Sequence, residues 1–209
     1  MSSDGGLLLL REIEQRLGLA KRLAGCIRDP RMPERVRHRL DEIIRFRMLM
    51  IAAGYEDGND ADTLRGEPMF KHAMERLPTH ADLCSQSTVS RTENLPDTRA
   101  LLRMGRAMID HYCHSFRHVP RRIVLDIDDT FDAVHGGQQL RLFNAHHDEY
   151  GFQPIVVFDE AGRMIAAMLR AGSHYCTPEV LRFCRAKRLD YTLGVAPTSI
   201  LCHRSCKSP

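Results

Sequence analysis

The sequence predicts an α+β protein with a helical N-terminal region over about residues 1–119 and a β-rich region from about residue 120 onwards. In the first region apolar residues recur at three- and four-residue steps, which is the period of an amphipathic helix. From Arg122 the apolar residues alternate with polar ones and β-branched residues become common, which is typical of strands. With 43% hydrophobic and 27% charged residues, the composition excludes a largely disordered chain.

No segment of the sequence reads as a membrane span. Near the N-terminus, the uncharged apolar run Gly5–Leu10 is far shorter than the ~20 residues that a spanning helix needs. No basic flank precedes this run, so it does not resemble a signal peptide. The seven cysteines lack the even spacing of a disulfide framework and fit a reducing compartment. We therefore expect a cytoplasmic protein.

The first region divides into predicted helices separated by prolines and glycines. They are Leu7–Leu23, Glu34–Ala53 after Pro33, Asp60–Leu64, Pro68–Leu77, a helix that Ser85 caps from Gln86, and Asp97–Phe116 capped by Asp97. Gly54 is expected to close the second helix. The last helix is expected to turn a set of apolar residues inward: Leu101, Leu102, Met104, Met108, Ile109 and Tyr112.

The basic residues are mostly arginine, although the net charge is only +3. The planar guanidinium suits bidentate contact with phosphate, and codon bias in a GC-rich genome is the alternative explanation. The second helix carries a run of arginines that we expect on its solvated sides: Arg35, Arg37, Arg39, Arg45 and Arg47.

The helix from Gln86 is the predicted DNA contact. A cap at Ser85 places four polar residues near its exposed first turns: Gln86, Ser87, Ser90 and Arg91. A helix-turn-helix protein offers such a helix, preceded by another short helix, to the major groove. We therefore predict a helix-turn-helix-like segment over about residues 67–94; a capped polar surface helix is the alternative.

The second region is predicted to contain an antiparallel run of three or four strands. The predicted strands are Arg122–Asp128, Gln138–Phe143, Phe152–Phe158 and Met164–Leu169, followed by a helix at Pro178–Lys187, a strand at Tyr191–Val195 and an irregular tail over 199–209.

The first of these strands carries a candidate metal site. Asp126 and Asp128 alternate with Leu125 and Ile127, so both carboxylates project from one face of the strand. Carboxylates held this close repel each other unless a cation lies between them. Oxygen ligands without soft neighbours favour Mg²⁺ or Mn²⁺. The alternative is an acidic strand end that caps the next turn.

Two enzyme classes begin their catalytic domain with such a strand. Asp126–Thr130 matches the D-x-D-x-T signature of the haloacid-dehalogenase-like phosphatases, but the later phosphatase motifs are not found after Thr130. Three other motifs follow Thr130: Val134–Gln139, Leu142–His146 and Phe152–Ile155. Further motifs precede the strand: Gly54–Asp57, and Leu83–Gln86 continued by Ser90-Arg91 and Glu93-Asn94. Over roughly residues 20–198, this series resembles the DDE transposases of bacterial insertion sequences, in the group whose first catalytic strand reads L-D-I-D-D-T.

The resemblance implies a helical DNA-binding region followed by an RNase H-like α/β core, here partial, over residues 120–198. It also implies cleavage and rejoining of DNA at the inverted-repeat ends of an element by three acidic residues and two divalent ions. Asp128 is the expected catalytic and metal-binding residue, with Asp126 as second choice; the primary ligand among Asp126, Asp128 and Asp129 stays open. The implied cofactor is Mg²⁺ or Mn²⁺, and the implied partner is the DNA of the inverted-repeat ends, in the nucleoid; the oligomeric state stays open, with a homodimer as one alternative.

The sequence departs from this family where the second acid is expected. Met168–Arg170 runs directly into Ala171–Tyr175, as though an intervening segment were deleted, and Gly172 stands at the position of the second aspartate. The chain also ends before a counterpart of the third acid. We expect a degenerate, internally deleted and truncated copy that does not transpose. The alternatives are a non-catalytic DNA-binding remnant and a phosphatase that uses Asp126 and Asp128.

Overall fold

The computed structural model describes residues 4–134 and 141–169, and in these ranges helices are followed by small sheets. The helices are α1 (Leu7–Leu17), α2 (Leu19–Ala24), α3 (Leu40–Ala52), α4 (Ala61–Leu64), α5 (Pro68–Ala73), α6 (Gln86–Glu93) and α7 (Thr98–His114). The strands are β1 (Leu125–Asp129), β2 (Asp132–Ala133), β3 (Leu142–Asn144), β4 (Glu149–Phe152), β5 (Pro154–Asp159) and β6 (Met164–Leu169). The predicted α+β class is confirmed. The predicted helix 178–187, strand 191–195 and tail lie outside the described residues.

The chain divides into two compact units. The first contains Met1–Asp128 and Val156–Met168, and the second contains Asp129–Ile155. The helices and most of the sheet ordered β1-β5-β6 belong to the first unit. The second unit holds the sheet ordered β2-β4-β3, in which β4 pairs antiparallel with both neighbours.

The predicted helix Leu7–Leu23 is broken into α1 and α2 at Gly18. Gly18 takes a left-handed conformation with φ 62°, which glycine adopts without steric cost. The buried Glu14 carboxylate accepts a hydrogen bond from the Ala20 backbone N–H at 3.0 Å and so caps α2. Gly18 therefore ends α1 and the Glu14 side chain caps α2, although the apolar pattern of the sequence continues through both helices.

The helix predicted from Glu34 begins six residues later than expected. Pro33–Arg35 form a single 3-10 turn, and the backbone is extended at Val36 and Arg39. The Glu42 carboxylate accepts a hydrogen bond from the Arg39 N–H at 3.0 Å, which fixes the start of α3 at Leu40.

The predicted closure of α3 at Gly54 is confirmed. Gly54 has φ 94°, and its N–H donates to the Ile51 carbonyl at 3.0 Å. The Tyr55 N–H reaches back to the Met50 carbonyl at 2.9 Å. These two bonds form a Schellman motif, which satisfies carbonyls that the helix end would leave unpaired.

The core of the first unit lies among α1, α3, α4, α5 and α6. Phe46 of α3 meets Phe70 of α5 edge-to-face, with ring centroids 5.8 Å apart, and Tyr55 approaches Phe70 at 5.9 Å. Val89 joins this cluster from α6 and is 1% exposed. The short helices are thereby fixed relative to α3 by buried apolar surface rather than by their own length.

The prediction that α7 turns all six apolar residues inward is wrong in part. Tyr112 is buried, and Met104 and Met108 are half-buried, but Leu101, Leu102 and Ile109 are exposed. Within the described residues α7 packs against α2, which has only six residues against seventeen in α7. A helix so much shorter covers only part of the apolar face. The predicted cap holds, since the Asp97 carboxylate accepts from the Ala100 N–H at 2.7 Å.

The predicted strands are found with shifted bounds. β1 begins at Leu125 rather than Arg122, β6 matches Met164–Leu169, and the segment predicted as one strand over 152–158 is shared between β4 and β5. The described part of Gln138–Phe143 contributes β3. Because β4 and β5 belong to different sheets, the chain forms two small sheets where one antiparallel run was expected.

Candidate nucleic-acid interface and acidic strand

Helix α6 is seated by its inner face and by a neighbouring carboxylate. Val89 packs into the core, and the Asp62 carboxylate of α4 accepts a hydrogen bond from the Gln86 N–H at 3.0 Å. Ser85 stands at the N-cap position, as predicted, but its hydroxyl bonds the Thr88 hydroxyl at 3.2 Å and caps no backbone N–H. Asp62 therefore satisfies the first backbone N–H of α6, and the side-chain cap expected from Ser85 is not formed.

The outer face of α6 carries the four residues predicted to contact DNA. Ser87 and Arg91 are exposed, and Gln86 and Ser90 are half-buried. At 100° per residue these positions span an arc of about 140°; Ser87 and Arg91 lie nearly opposite the buried Val89, and Gln86 lies at the edge of the arc, about 60° from it. The structure thus brings the predicted set together on one surface, and its contact with DNA stays a prediction.

The connection between α5 and α6 is longer than in a helix-turn-helix. It runs over residues 74–85, whereas that motif joins its helices by a turn of three or four residues. The connection is braced by Lys71, which is 5% exposed and donates to the Pro78 and His80 carbonyls at 3.2 and 2.9 Å. Lys71 also pairs with Asp82 at 3.1 Å, and this hydrogen bond lowers the pKa of Asp82.

The far end of α6 is tied to the end of α3. Arg47 Nε lies 2.7 Å from Glu93 Oε1, and the same guanidinium donates to the Tyr55 and Glu56 carbonyls. Hydrogen bonds to a charged donor are stronger than neutral ones, and here one side chain links three segments. Both ends of α6 are therefore held, which presents its outer face on a fixed support.

An arginine-rich cleft of about 760 Å³ lies beside α6. The segment Pro30–His38 contributes one part of its lining and α6 contributes another. Five arginines and one aspartate line it: Arg31, Arg35, Arg37, Arg65, Arg91 and Asp82. The prediction that Arg35 and Arg37 lie on a helix face is wrong, because both precede α3.

The remaining arginines of that predicted run are not free solvated charges. Arg45 pairs at 2.7 Å with the buried Glu14, Arg47 ties α3 to α6, and Arg39 pairs with Asp41 at 3.0 Å. The helical period predicted that Arg45 and Arg47 lie on α3 but not their partners Glu14 and Glu93, which belong to α1 and α6.

Asp126 and Asp128 both lie on β1, where both are exposed. They are two residues apart, so their Cα atoms are separated by roughly 6.6 Å and their side chains share one face. Asp126 also lines a hollow at the edge of the sheet together with Asp159 and Glu160. The Glu160 carboxylate is already engaged there, since it accepts a hydrogen bond from the Val124 N–H at 3.1 Å.

Asp159 is a structural residue of the first unit. Its carboxylate accepts from the Tyr112 hydroxyl at 3.0 Å, from Arg163 Nε at 2.7 Å and from the Ala161 and Arg163 N–H groups. Burial opposes ionisation of Asp159, but these hydrogen bonds outweigh it and lower the pKa of Asp159 to about 2. A carboxylate with four donors is committed to the β5–β6 turn and to α7 rather than to a metal.

The described residues do not complete a metal site around Asp126 and Asp128. Within 4–134 and 141–169, no group of three or more His, Cys, Asp or Glu side chains is placed to hold a metal ion. The residues that the structure describes therefore do not by themselves fit a pair of divalent ions, which needs ligands from several sides. Gly172, where the second aspartate is expected, lies outside the described residues.

Sequence reasoning missed three features of these surfaces. It did not identify Asp62 as the acceptor for α6 or the cleft formed by Arg35 and Arg37, since both depend on contacts between distant segments. Asp159 had a local signal: an aspartate followed three residues later by Gly162, which takes a positive φ of 73° in the turn.

Comparison with known proteins identifies the family. Residues 1–174 match the family model described as transposase DDE domain, group 1. Searches of curated proteins and of solved structures give no match. In the described part of the chain, no helix is long and apolar enough to cross a membrane. DDE transposases depend on divalent metal ions, bind DNA and act in DNA transposition. With the match covering most of its length, the chain belongs to the group 1 transposase DDE domain family.

Proposed function

We propose that this chain is a degenerate transposase of a bacterial insertion sequence, which binds DNA at the ends of its element but does not cut it. The observation that carries the proposal is the state of the acidic strand. Asp126 and Asp128 stand on β1 as the L-D-I-D-D-T group requires, yet no third metal-binding side chain joins them among the described residues. The family match supports the ancestry.

Recognition of DNA is assigned to the outer face of α6. A glutamine amide can bond an adenine edge in two places, and an arginine can do the same with guanine, so Gln86 and Arg91 supply readers of base sequence. Ser87 and Ser90 add small donors to either base or phosphate. The seating of α6 by Asp62 and Glu93 fixes the positions of these side chains. The nucleoid is the expected place of action.

Asp128 and Asp126 would hold the Mg²⁺ or Mn²⁺ of an active relative. Such ions stabilise charge at the attacking and leaving oxygens of a phosphodiester. Two carboxylates on one strand cannot clamp two ions about 3.5–4 Å apart, because ligands on the opposite side are needed. In the sequence, the position expected for that opposite ligand is Gly172, which has no side chain.

The DNA-binding part of this proposal is tested by selection from a pool of random-sequence duplexes. We expect the chain to enrich one sequence and the double variant Gln86→Ala/Ser90→Ala to lose that enrichment. Loss of one bidentate base contact lowers discrimination by about 1–3 kcal/mol. The control is Thr98→Ala on α7, an exposed polar residue outside α6. Enrichment of the same sequence by the double variant would contradict the assignment to α6.

If the chain were instead a phosphatase that uses Asp126 and Asp128, a different result would be expected. An aspartate nucleophile would hydrolyse a small aryl phosphate and lose that activity in Asp126→Asn. Under the transposase proposal we expect no hydrolysis, so this inexpensive assay separates the two functions.

A further inference from the structure

The cleft beside α6 has an excess of positive charge that its own carboxylate does not neutralise. Asp82, at its wall, already pairs with Lys71 at 3.1 Å and lies 3.4 Å from Arg65 Nε. Arg31 pairs with Asp29 at 2.7 Å. The cleft therefore keeps a net positive charge that favours an acidic partner.

Three arginines of the cleft are available to such a partner. Arg35, Arg37 and Arg91 are exposed, and in the described part of the chain their side chains form no ion pair or hydrogen bond. Arg35 and Arg37 come from the segment before α3, and Arg91 comes from α6, so the charges approach the cleft from two separate elements. The guanidinium group binds phosphate in a bidentate manner.

His38 lies in the same cleft, where burial and then nearby positive charge oppose its protonation. Burial lowers the pKa of His38, and the charge of Arg76 lowers it further; Glu42 raises it, and Arg37 and Arg65 again lower it. His38 is therefore neutral at pH 7 and adds no charge to the cleft. Its hydrophilic neighbours Ser85 and Thr88 offer hydroxyl groups in the same lining.

The position of Arg91 connects this cleft to the predicted DNA-reading surface. Arg91 lines the cleft and also belongs to the outer face of α6, beside Ser87 and Ser90. Arg35 and Arg37 line the same cleft as Arg91, so one polyanion bound there could contact both α6 and the segment before α3. In protein–DNA complexes, contacts to phosphates fix the register of the helix that reads the bases.

We propose that the cleft binds the phosphate backbone of the duplex that α6 reads, with Arg35, Arg37 and Arg91 as phosphate ligands. The inference rests on the proposed DNA-binding function and adds a backbone site that neither the sequence motifs nor the family match locates. Arg35 and Arg37 would contribute to affinity and not to base preference, because phosphate contacts are the same for every base sequence.

The test is the salt dependence of binding to a fluorescein-labelled B-form duplex, followed by fluorescence anisotropy with the full 209-residue chain. Each phosphate contact contributes about 0.9 to the slope of log K against log salt concentration. The double variant Arg35→Gln/Arg37→Gln should reduce the slope by about 1.8 and weaken binding equally for selected and unrelated duplexes. Arg35→Lys/Arg37→Lys keeps both charges and should retain most of the slope.

The matched control is Arg99→Gln/Arg106→Gln, which removes two exposed arginines of α7 that do not line the cleft. Circular dichroism checks that each variant is folded. A wild-type slope in Arg35→Gln/Arg37→Gln would overturn the inference and leave the proposed function standing. An equal reduction in the control would overturn it too, since the loss would then reflect total charge. Absence of any DNA binding by the wild-type chain would overturn both proposals.

Discussion

At the scale of single residues, three carboxylates organise the first unit: Glu14 and Asp159 are buried, and Asp62 is exposed. Glu14 caps α2, Asp62 receives the first N–H of α6, and Asp159 joins α7 to the β5–β6 turn. Each accepts a hydrogen bond from a backbone or side-chain group distant in sequence. Unpaired donors in such places cost more free energy than their hydrogen bonds contribute, so these positions are sensitive to substitution.

The substitution Asp159→Asn should make the free energy of unfolding less dependent on pH in the acid range. The pKa of Asp159 is lowered to about 2 in the folded chain, against an ordinary value near 3.8. A carboxylate with a depressed pKa contributes stability that is complete above its unfolded pKa and disappears as pH falls through its folded pKa. The wild-type advantage over Asp159→Asn should therefore be constant above pH ~5 and shrink between pH ~4 and ~2.

This prediction is checked by urea denaturation of both proteins at several pH values. Asp110→Asn serves as the control, because Asp110 is an exposed carboxylate on the same helix that Tyr112 belongs to. An advantage of the wild type that stays constant down to pH ~2 would show that the four hydrogen bonds of Asp159 do not depend on its charge.

At the scale of elements, the apolar periods predicted which segments are helices, and side-chain caps decided where the helices begin and end. The sequence patterns placed α5, α6 and α7 within a few residues, but Gly18 and Glu14 split the first helix and Glu42 delayed α3. The spacing of apolar residues does not show where a carboxylate will accept a hydrogen bond from the backbone N–H groups at a helix start.

The pairing of β2 with β4 depends on Gly151. Its backbone faces Asp132 and Ala133 of β2, and a Cβ atom at Gly151 would overlap the Asp132 carbonyl and lie 2.6 Å from the Phe131 ring. Because a backbone atom cannot move aside cheaply, Gly151→Ala should destabilise the chain by about 1–3 kcal/mol.

Gly105→Ala is the matched control for this substitution. Gly105 lies within α7 with open space around its Cα, so alanine should stabilise the helix by about 0.5–1 kcal/mol. Urea denaturation of both variants shows whether each substitution raises or lowers the free energy of unfolding. If the Gly151→Ala chain were as stable as the wild type, the β2–β4 pairing would not contribute to the free energy of unfolding.

At the scale of the whole molecule, the sequence and the structure contribute different parts of the functional account. Motifs in order along the chain indicated the family, which the family match over residues 1–174 supports. The face shared by Asp126 and Asp128 followed from strand alternation. The arginine cleft did not, because Arg35 and Arg37 line it from the segment before α3 whereas Arg91 lines it from α6, and a local pattern does not show that these segments meet.

The exposure of α7 was also beyond prediction from the sequence. An amphipathic pattern shows that a helix has an apolar face, but the length of its neighbour decides how much of that face is covered. Leu102 is 67% exposed although it lies within the predicted apolar set. In the described part of the chain, α7 therefore exposes an apolar surface that the helical period alone would assign to the core.

The central claim, binding of DNA without cleavage, is tested most directly by incubating the 209-residue chain with a duplex that carries its selected site, in Mg²⁺ and in Mn²⁺. Strand breaks are read on a denaturing gel, and binding is read by anisotropy in the same buffers. We predict salt-sensitive binding and intact strands with either metal. Nicked or joined products from the wild-type chain, absent from Asp128→Asn, would contradict the claim and show that a working metal site survives.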